Sequence, residues 1–546
     1  MRSLAAALLL ALQPAGLDNP TAPPGTPPAG TIVIVLPTLA NVPVPTLYAN
    51  DGATRELGDL LFLRLAELGP TLRTGDESAF EPRLARRWKR RDPLTLVFEL
   101  DPRARWQDGK PVTAEDVVFT MDRARNPAYG RQVAGLLRHI VKVAAEGERT
   151  VVFTFDQSYP EQLYDATYHA PPLPSHLVAQ IPADSLGTSA FARAPVGNGP
   201  YRWVRRALDQ QTIELKADTT FFLGRPGIGR VIFQAVADAG ARANLVLTGA
   251  ADVVENAYYY SNAAELLALP AYRGVPYPTF NLGFLLFNAR NPADTSKPHP
   301  ILGDVEVRRA ITEAINRDTL ARLGFGPSGV VPPGPVSQAI WVFDRKLARF
   351  PFDPASAKRR LAAAGWKENG TGMLEKGGVP LRLSLIVPAT SQPKRLMATA
   401  AQEALRQVGI DLQLLVLAPV EIGPRALSGN FDMTFPTTGQ DPTPSGLTQG
   451  WSCAGGTNFG KYCNPRVDSL YEKAIRSKDS GPIWKEALRQ IVDDAPGVWV
   501  FSLTNVALVH RRFDRVSIRP QSQWLDLWQW RLRPEAALPR DSVDSH

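Results

Sequence analysis

Two periodicities alternate along the chain. Thr31-Ile-Val-Ile-Val-Leu36 is a compact β-branched apolar run between Gly30 and Pro37, the pattern of a buried strand. Thr95–Leu100, Thr150–Phe155, Thr212–Lys216, Arg230–Val236, Leu381–Val387 and Asp411–Leu417 read the same way. Helical patterns lie between them. Thr113-Ala-Glu-Asp116 is close to a capping box and opens a helix through about Arg125. Asp304 caps a helix whose stripe is Val307, Ala310, Ile311, Ala314 and Ile315, with Arg308, Arg309 and Arg317 outside it. Asp353-Pro354 starts another that ends at Gly365, and Arg395–Val408 is a third. This alternation predicts an α/β fold of lobes with mixed sheets. Leu282–Phe287 and Val498–Leu503 are strongly apolar and read as two strands crossing between lobes.

A chain of 546 residues, 44% hydrophobic and 21% charged, is globular in composition. One core seldom serves more than about 250–300 residues, so two or three lobes are expected. The expected division is a signal peptide at 1–16, a Pro/Gly-rich linker at 17–30 and a first lobe with an extra subdomain at 31–280. A second lobe follows at 281–503, then a return to the first lobe at 504–532 and a flexible tail at 533–546. The signal peptide rests on Arg2 followed by the apolar run Leu4–Leu12, too short for the about 20 residues of a membrane span. It implies a periplasmic or otherwise extracytoplasmic location. With no cysteine near position 20, the chain is not expected to be a lipoprotein.

Net charge is +8 from 61 basic and 53 acidic residues spread along the chain, which argues against a nucleic-acid-binding surface. The longest basic run, Arg86-Arg-Trp-Lys-Arg-Arg91, reads as a solvated turn between a helix and a strand. The two cysteines, Cys453 and Cys463, have no histidines at zinc spacing. Gly455, Gly456 and Gly460 let the chain fold back between them, so a disulfide is expected in an oxidising compartment.

No enzyme signature is found. The six histidines include no H-x-x-x-H pair, and there is no G-x-S-x-G elbow and no P-loop. Gly197-Asn-Gly199 lacks the third glycine of a dinucleotide fingerprint and runs into Pro200-Tyr201, so it reads as a tight turn into a strand. No catalytic residue, metal ligand or cofactor is assigned.

Several stretches together resemble one family. They are Phe98–Phe119, with its Trp106-Gln-Asp-Gly-Lys-Pro turn and capped helix; Pro174-Ser-His176; Ala194-Pro-Val-Gly-Asn-Gly-Pro-Tyr201; Gly249-Ala-Ala-Asp252; Asp304–Arg317; and Phe352-Asp-Pro–Trp366. In this order they are similar to the extracytoplasmic solute-binding proteins of the oligopeptide, dipeptide and nickel class, family 5 of the ABC transporter substrate-binding proteins. The likeness covers nearly all of the chain from about residue 30 to 530. Asn198 and Arg360 stand where the family more often has Thr and Leu.

The resemblance implies a two-lobed periplasmic-binding-protein-like fold with two crossing strands and an extra subdomain. It also implies hinge closure on a ligand, most readily a peptide, and delivery to an ABC permease energised by a separate ATPase subunit. A nickel chelate, oligosaccharide, opine or haem, or a receptor role without transport, remain alternatives. The chain is expected to be a monomer. Most of the motif residues are expected to hold the scaffold. Ligand contact is expected from Tyr258 and Tyr259 in the run Tyr258–Tyr260, from Trp451 beside the cysteine loop, and from Tyr48 and Asn50. Asp441, in Gly439-Gln-Asp-Pro442, is expected either to meet a peptide ammonium or to cap the turn it forms with Pro442 and Pro444.

Overall fold

The computed structural model describes residues 29–41, 43–45, 52–127, 131–347 and 350–542. The expected signal peptide, most of the linker, Tyr48 and Asn50 lie outside the described residues.

One twelve-stranded sheet runs through both lobes. Its centre is an antiparallel pair, Tyr272–Phe287 and Gly497–His510, in register from Tyr272 opposite His510 to Leu286 opposite Gly497. Both strands extend beyond the apolar segments that announced them. The extension carries Pro276, Pro278 and Asn505, which do not read as a buried strand. The register shifts between Pro278 and Leu282, and again after Gly283. Proline cannot donate to the ladder, and such bulges bend a strand where it passes from one lobe to the other.

In the first lobe, Thr31–Leu36 lies parallel to Arg230–Ala235 on one side and Val253–Val254 on the other. Val253–Val254 in turn pairs with Val509 and Leu508 of the second crossing strand. In the second lobe, Arg382–Pro388 runs parallel to Asp411–Leu417 and to Met433–Thr434, which joins the first crossing strand at Phe287. Side chains of the crossing pair alternate between faces, as the two-residue repeat requires. Phe284, Leu286 and Trp499 pack with Trp451, Tyr471 and Trp484, while Leu285, Phe287, Val498 and Val500 face a second core with Val307, Ile311 and Met397.

The helices agree with their sequence patterns. Ala114–Arg125 begins with the Thr113/Asp116 capping box, and Asp304 accepts from Glu306 N at 2.9 Å to open Val305–Ala314. All five residues of its expected stripe are buried. Arg308 and Arg309 lie outside the stripe and are not idle. They donate to the Asp494 and Asp493 carbonyls at 2.7 Å, satisfying acceptors at the C-terminal end of helix Gly481–Asp494. Gly365 takes the left-handed conformation, φ 90°, that ends helix Pro354–Ala363.

The basic run corrects one expectation. Residues Ala85–Asp92 are not a turn but the edge strand of a four-stranded antiparallel sheet with Thr95–Leu100, Thr150–Phe155 and Ile140–Ala145. Arg87 pairs with Glu99 at 2.5 Å, Arg90 with Glu77 at 2.5 Å and Arg91 with Glu146 at 2.6 Å. A charged edge of this kind resists pairing with another chain.

The motif residues hold one another. Trp106 Nε1 donates to Asp116 Oδ2 at 3.0 Å, and Asp116 Oδ1 accepts from Ser175 N and Oγ at 2.9 and 2.6 Å. His176 Nε2 meets Asp108 Oδ2 at 2.6 Å. Gln107 Nε2 donates to Tyr201 O at 2.7 Å, and Leu63 N donates to Asn198 Oδ1 at 2.7 Å. A side chain at Gly197 would collide with the Leu61 carbonyl, so the turn needs glycine there.

The tail is a second correction. Residues 533–542, expected to be flexible, are docked. Asp541 accepts from Thr31 N at 2.7 Å and pairs with Arg512 at 2.6 Å, and Arg540 pairs with Asp252 at 2.7 Å. Asp252 also holds Arg512 at 2.7 Å and Val33 N at 2.8 Å. One buried carboxylate therefore ties the first strand, the second crossing strand and the tail together.

Candidate functional site

The two lobes meet across polar groups. On the first-lobe side, helix Gly52–Leu61 carries Arg55 and Glu56, and the segment after Val253–Val254 carries Glu255. Gln523 Nε2 lies 3.4 Å from Glu56 Oε1, and the same side chain favours the ionised form of Glu255. Burial pushes both carboxyls above the usual carboxylate range, and the Glu255 charge raises Glu56 further. Among the described residues no basic side chain forms an ion pair with either.

Below them the crossing strands form a hydrogen-bonded floor. Asn256 Nδ2 donates to Asn505 Oδ1 at 3.0 Å, Asn505 Nδ2 to Tyr277 Oη at 3.0 Å, and Tyr277 Oη to Glu255 O at 3.1 Å. Asn256 Oδ1 accepts from Val506 N at 3.1 Å, which fixes the floor to the second crossing strand.

The tyrosine run divides as its backbone demands. Tyr260 is buried, with its hydroxyl 3.3 Å from Arg242 Nε, and Tyr258 is half-buried. Tyr259 is 45% exposed, yet burial and then the Glu255 charge still raise its phenol. That combination fits a ring on a cleft wall rather than on the outer surface.

The second-lobe side is the segment 437–446. Thr437–Gly439 pairs with Asn281–Gly283 along one edge, and its residues are exposed. Among the described residues no strand pairs with its other edge. Gln440 pins the next turn: its Nε2 donates to Pro335 O at 2.8 Å and its Oε1 accepts from Ser337 N at 2.7 Å. Thr443, not Asp441, caps the short turn Pro444–Gly446, accepting from Ser445 N at 3.0 Å. The expected capping role of Asp441 is therefore filled by its neighbour. No hydrogen bond or ion pair to the Asp441 carboxylate is made by the described residues. Across the gap its charge acts on the phenols of Tyr164 and Tyr168, which burial chiefly raises.

Trp451 is a correction. It is 5% exposed, with ring centroids 5.0 Å from Trp499 and 5.5 Å from Phe284, so it packs the lobe and offers no open face. Its neighbour Cys453 is bonded to Cys463. Within that loop Asn458 donates to the Ser452 and Tyr462 carbonyls at 2.8 and 2.6 Å, and Gly460 O accepts from Ala289 N at 2.8 Å. Reducing the disulfide is expected to destabilise the protein by on the order of 2 kcal/mol, since it constrains a short loop in the unfolded chain. Calorimetry with and without reductant checks this. An unmoved midpoint would mean that the Asn458 bonds hold the loop unaided.

Glu56, Glu255, Glu161 and Tyr168 were not singled out from sequence. Glu255 alone had a local signal, because it follows directly on a buried strand, and ligands gather outside the carboxyl ends of such strands.

The arrangement has counterparts of known fold. The nonapeptide complex of the oligopeptide-binding protein AppA from Bacillus subtilis superposes with a TM-score of 0.77 at 21% identity, covering 93% of this chain and all of that one. NikZ from Campylobacter jejuni, in complex with Ni(L-His), gives 0.76 at 19%, covering 92% of this chain and all of that one. In sequence, AppA of Bacillus subtilis (strain 168) is 24% identical over 510 residues, 90% of this chain and 89% of its own length. The dipeptide-binding protein of Escherichia coli (strain K12) is 25% identical over 447 residues, 76% of this chain and 80% of its own. Residues 79–460 match the profile of the bacterial extracellular solute-binding proteins, family 5 Middle, and the chain belongs to that family.

Proposed function

We propose that the protein captures a peptide between its lobes outside the cytoplasm and delivers it to an ABC import permease driven by a separate ATPase subunit. It acts as a monomeric binding protein without catalysis. The supporting relatives are peptide-binding proteins by name.

The observation that carries the peptide reading is the free edge of Thr437–Gly439 beside Asp441. An unpaired strand edge offers alternating N–H and C=O groups to an extended backbone. An unpaired carboxylate at its end suits a terminal ammonium, in a charge-assisted hydrogen bond. Tyr259 and the Glu56–Glu255 pair line the opposite wall and favour ligands with a cationic group. Tyr258 is a secondary contact. Closure between walls removes water and strengthens each of these bonds.

A thermal-shift screen tests the class of ligand, with di-, tri- and longer peptides, sugars and nickel chelates as probes. A ligand at a hundredfold excess over Kd adds about 2.7 kcal/mol to stability. A peptide-dependent shift is expected. A shift from a sugar or chelate with none from any peptide would overturn the choice of ligand. Asp441→Ala is expected to weaken binding of free-amine peptides roughly 10- to 100-fold, the loss typical of a charge-assisted bond, and to leave N-acetylated peptides unaffected. Equal affinity of Asp441→Ala and the wild type for free-amine peptides, by calorimetric titration, would remove Asp441 from the site.

A further inference from the structure

Glu161 stands at the start of helix Gln162–Thr167 on the first lobe. Its carboxylate accepts from three hydroxyls. Thr74 Oγ1, from its own lobe, donates to Oε1 at 2.5 Å. The other two come from the second lobe: Thr443 Oγ1 donates to Oε1 and Ser445 Oγ to Oε2. These contacts join residues 282 and 284 positions apart in the chain. Thr443 and Ser445 belong to the turn that immediately follows Asp441, and Thr443 is also its cap.

We infer that Glu161 is a positioning residue, a latch across the cleft that holds the second-lobe turn bearing Asp441 against the first lobe and so sets the balance of open and closed forms. Both second-lobe hydroxyls are spent on one carboxylate, which no basic residue neutralises within ion-pair distance among the described residues. A carboxylate so placed is a stronger acceptor than a neutral group, and its bonds exist only while the lobes are together. Water takes over the same hydroxyls and carboxylate on opening, so the contact is reversible. The charged groups around it are Asp165, on its own helix and bonded by Tyr159 Oη at 2.6 Å, His169 at 3.7 Å from Asp165, and Asp441 beyond Tyr164. None of them forms an ion pair with Glu161 that would lock it permanently to its own lobe. Burial raises its carboxyl, against the pull of the three hydroxyls, as expected of a group that closure withdraws from water.

The latch does not touch ligand, so it holds whichever ligand class is captured, and its failure is separable from that of the peptide reading. Single-molecule energy transfer on ligand-free protein tests it, with dyes on Val141→Cys and Val420→Cys. Both positions are exposed, at 47% and 80%, and both native cysteines are held in the disulfide. Glu161→Ala and Ser445→Ala are each expected to move the closed-to-open ratio toward open, Glu161→Ala by roughly tenfold or more. The double variant should open the protein no further than Glu161→Ala alone, because both substitutions remove one interaction. Glu161→Gln, which keeps the shape and one acceptor oxygen, should fall between. Additive shifts would overturn the latch, as would a wild-type distribution without a short-distance population or variants that match the wild type. Circular dichroism melts of each variant distinguish opening from unfolding.

Discussion

Asp252→Ala should be among the most damaging single substitutions in the first lobe, lowering stability by about 3–5 kcal/mol, as expected when one partner of a buried ion pair is removed. Asp252 and Arg512 side chains are both fully buried, so solvent does not screen their interaction. The substitution removes the acceptor for Arg512 at 2.7 Å, for Arg540 at 2.7 Å and for Val33 N at 2.8 Å. Arg512 would keep Asp541 at 2.6 Å, which argues for the lower part of the range. Asp252→Asn retains an acceptor for Val33 N and should recover part of the loss. Urea unfolding of the three proteins measures it. An Asp252→Ala variant within 1 kcal/mol of wild type, on the order of an exposed pair's worth, would mean that Asp541 alone anchors Arg512.

The second large effect concerns the cleft acids. Glu56→Gln/Glu255→Gln is expected to reduce affinity for lysine- or arginine-containing peptides by about 100-fold, since two charge-assisted contacts of about 1.5 kcal/mol each would go. Neutral peptides should change little. The pH dependence has a definite sign. Both carboxyls lie above the ordinary range in the free protein, so they retain protons at pH values where exposed carboxylates have lost them. Their contribution to stability is present at acid pH and is lost as pH rises through the raised values. A cationic ligand favours the ionised forms and releases those protons on binding. Its affinity should therefore increase with pH, from the ordinary carboxylate range into the neutral region. Isothermal titration in buffers of different ionisation heat would detect the proton release. An affinity that falls with pH, or that the double variant leaves unchanged, would place the ligand's cation elsewhere.

A segment's conformation is legible in the sequence wherever its own residues decide it. Thr31–Leu36 and Asp411–Leu417 coincide with observed strands, and the stripe from Val307 to Ile315 is buried as its spacing requires. Conformation is not legible where burial depends on neighbours distant in the chain. Arg86–Arg91 looks like a solvated turn because only Ala85 is buried and only Trp88 half-buried in an otherwise exposed edge strand. The first half of Tyr272–Phe287 carries Pro276 and Pro278 and the second half of Gly497–His510 carries Thr504 and Asn505, and these halves become strands because each covers the other. The tail reads as flexible because its anchors, Arg540 and Asp541, find their partners at Asp252, Arg512 and Thr31.

The cleft shows the same division. Tyr259 and Asp441 could be named from sequence because a tyrosine run and an Asp-Pro turn are local features. Glu56 and Glu255 are about two hundred positions apart, and nothing near either marks it as half of a pair. Glu161 and Ser445 meet only when two lobes close. Sequence by itself determined the periodicities, caps, motif turns and family resemblance of this chain, because those depend on side-chain spacing within a few turns of backbone. Only the tertiary structure decided which carboxylates lose water together, which stay unpaired and which bridge the lobes. Desolvation and charge coupling act through space, and the distances that govern them are set by the packing of the whole chain.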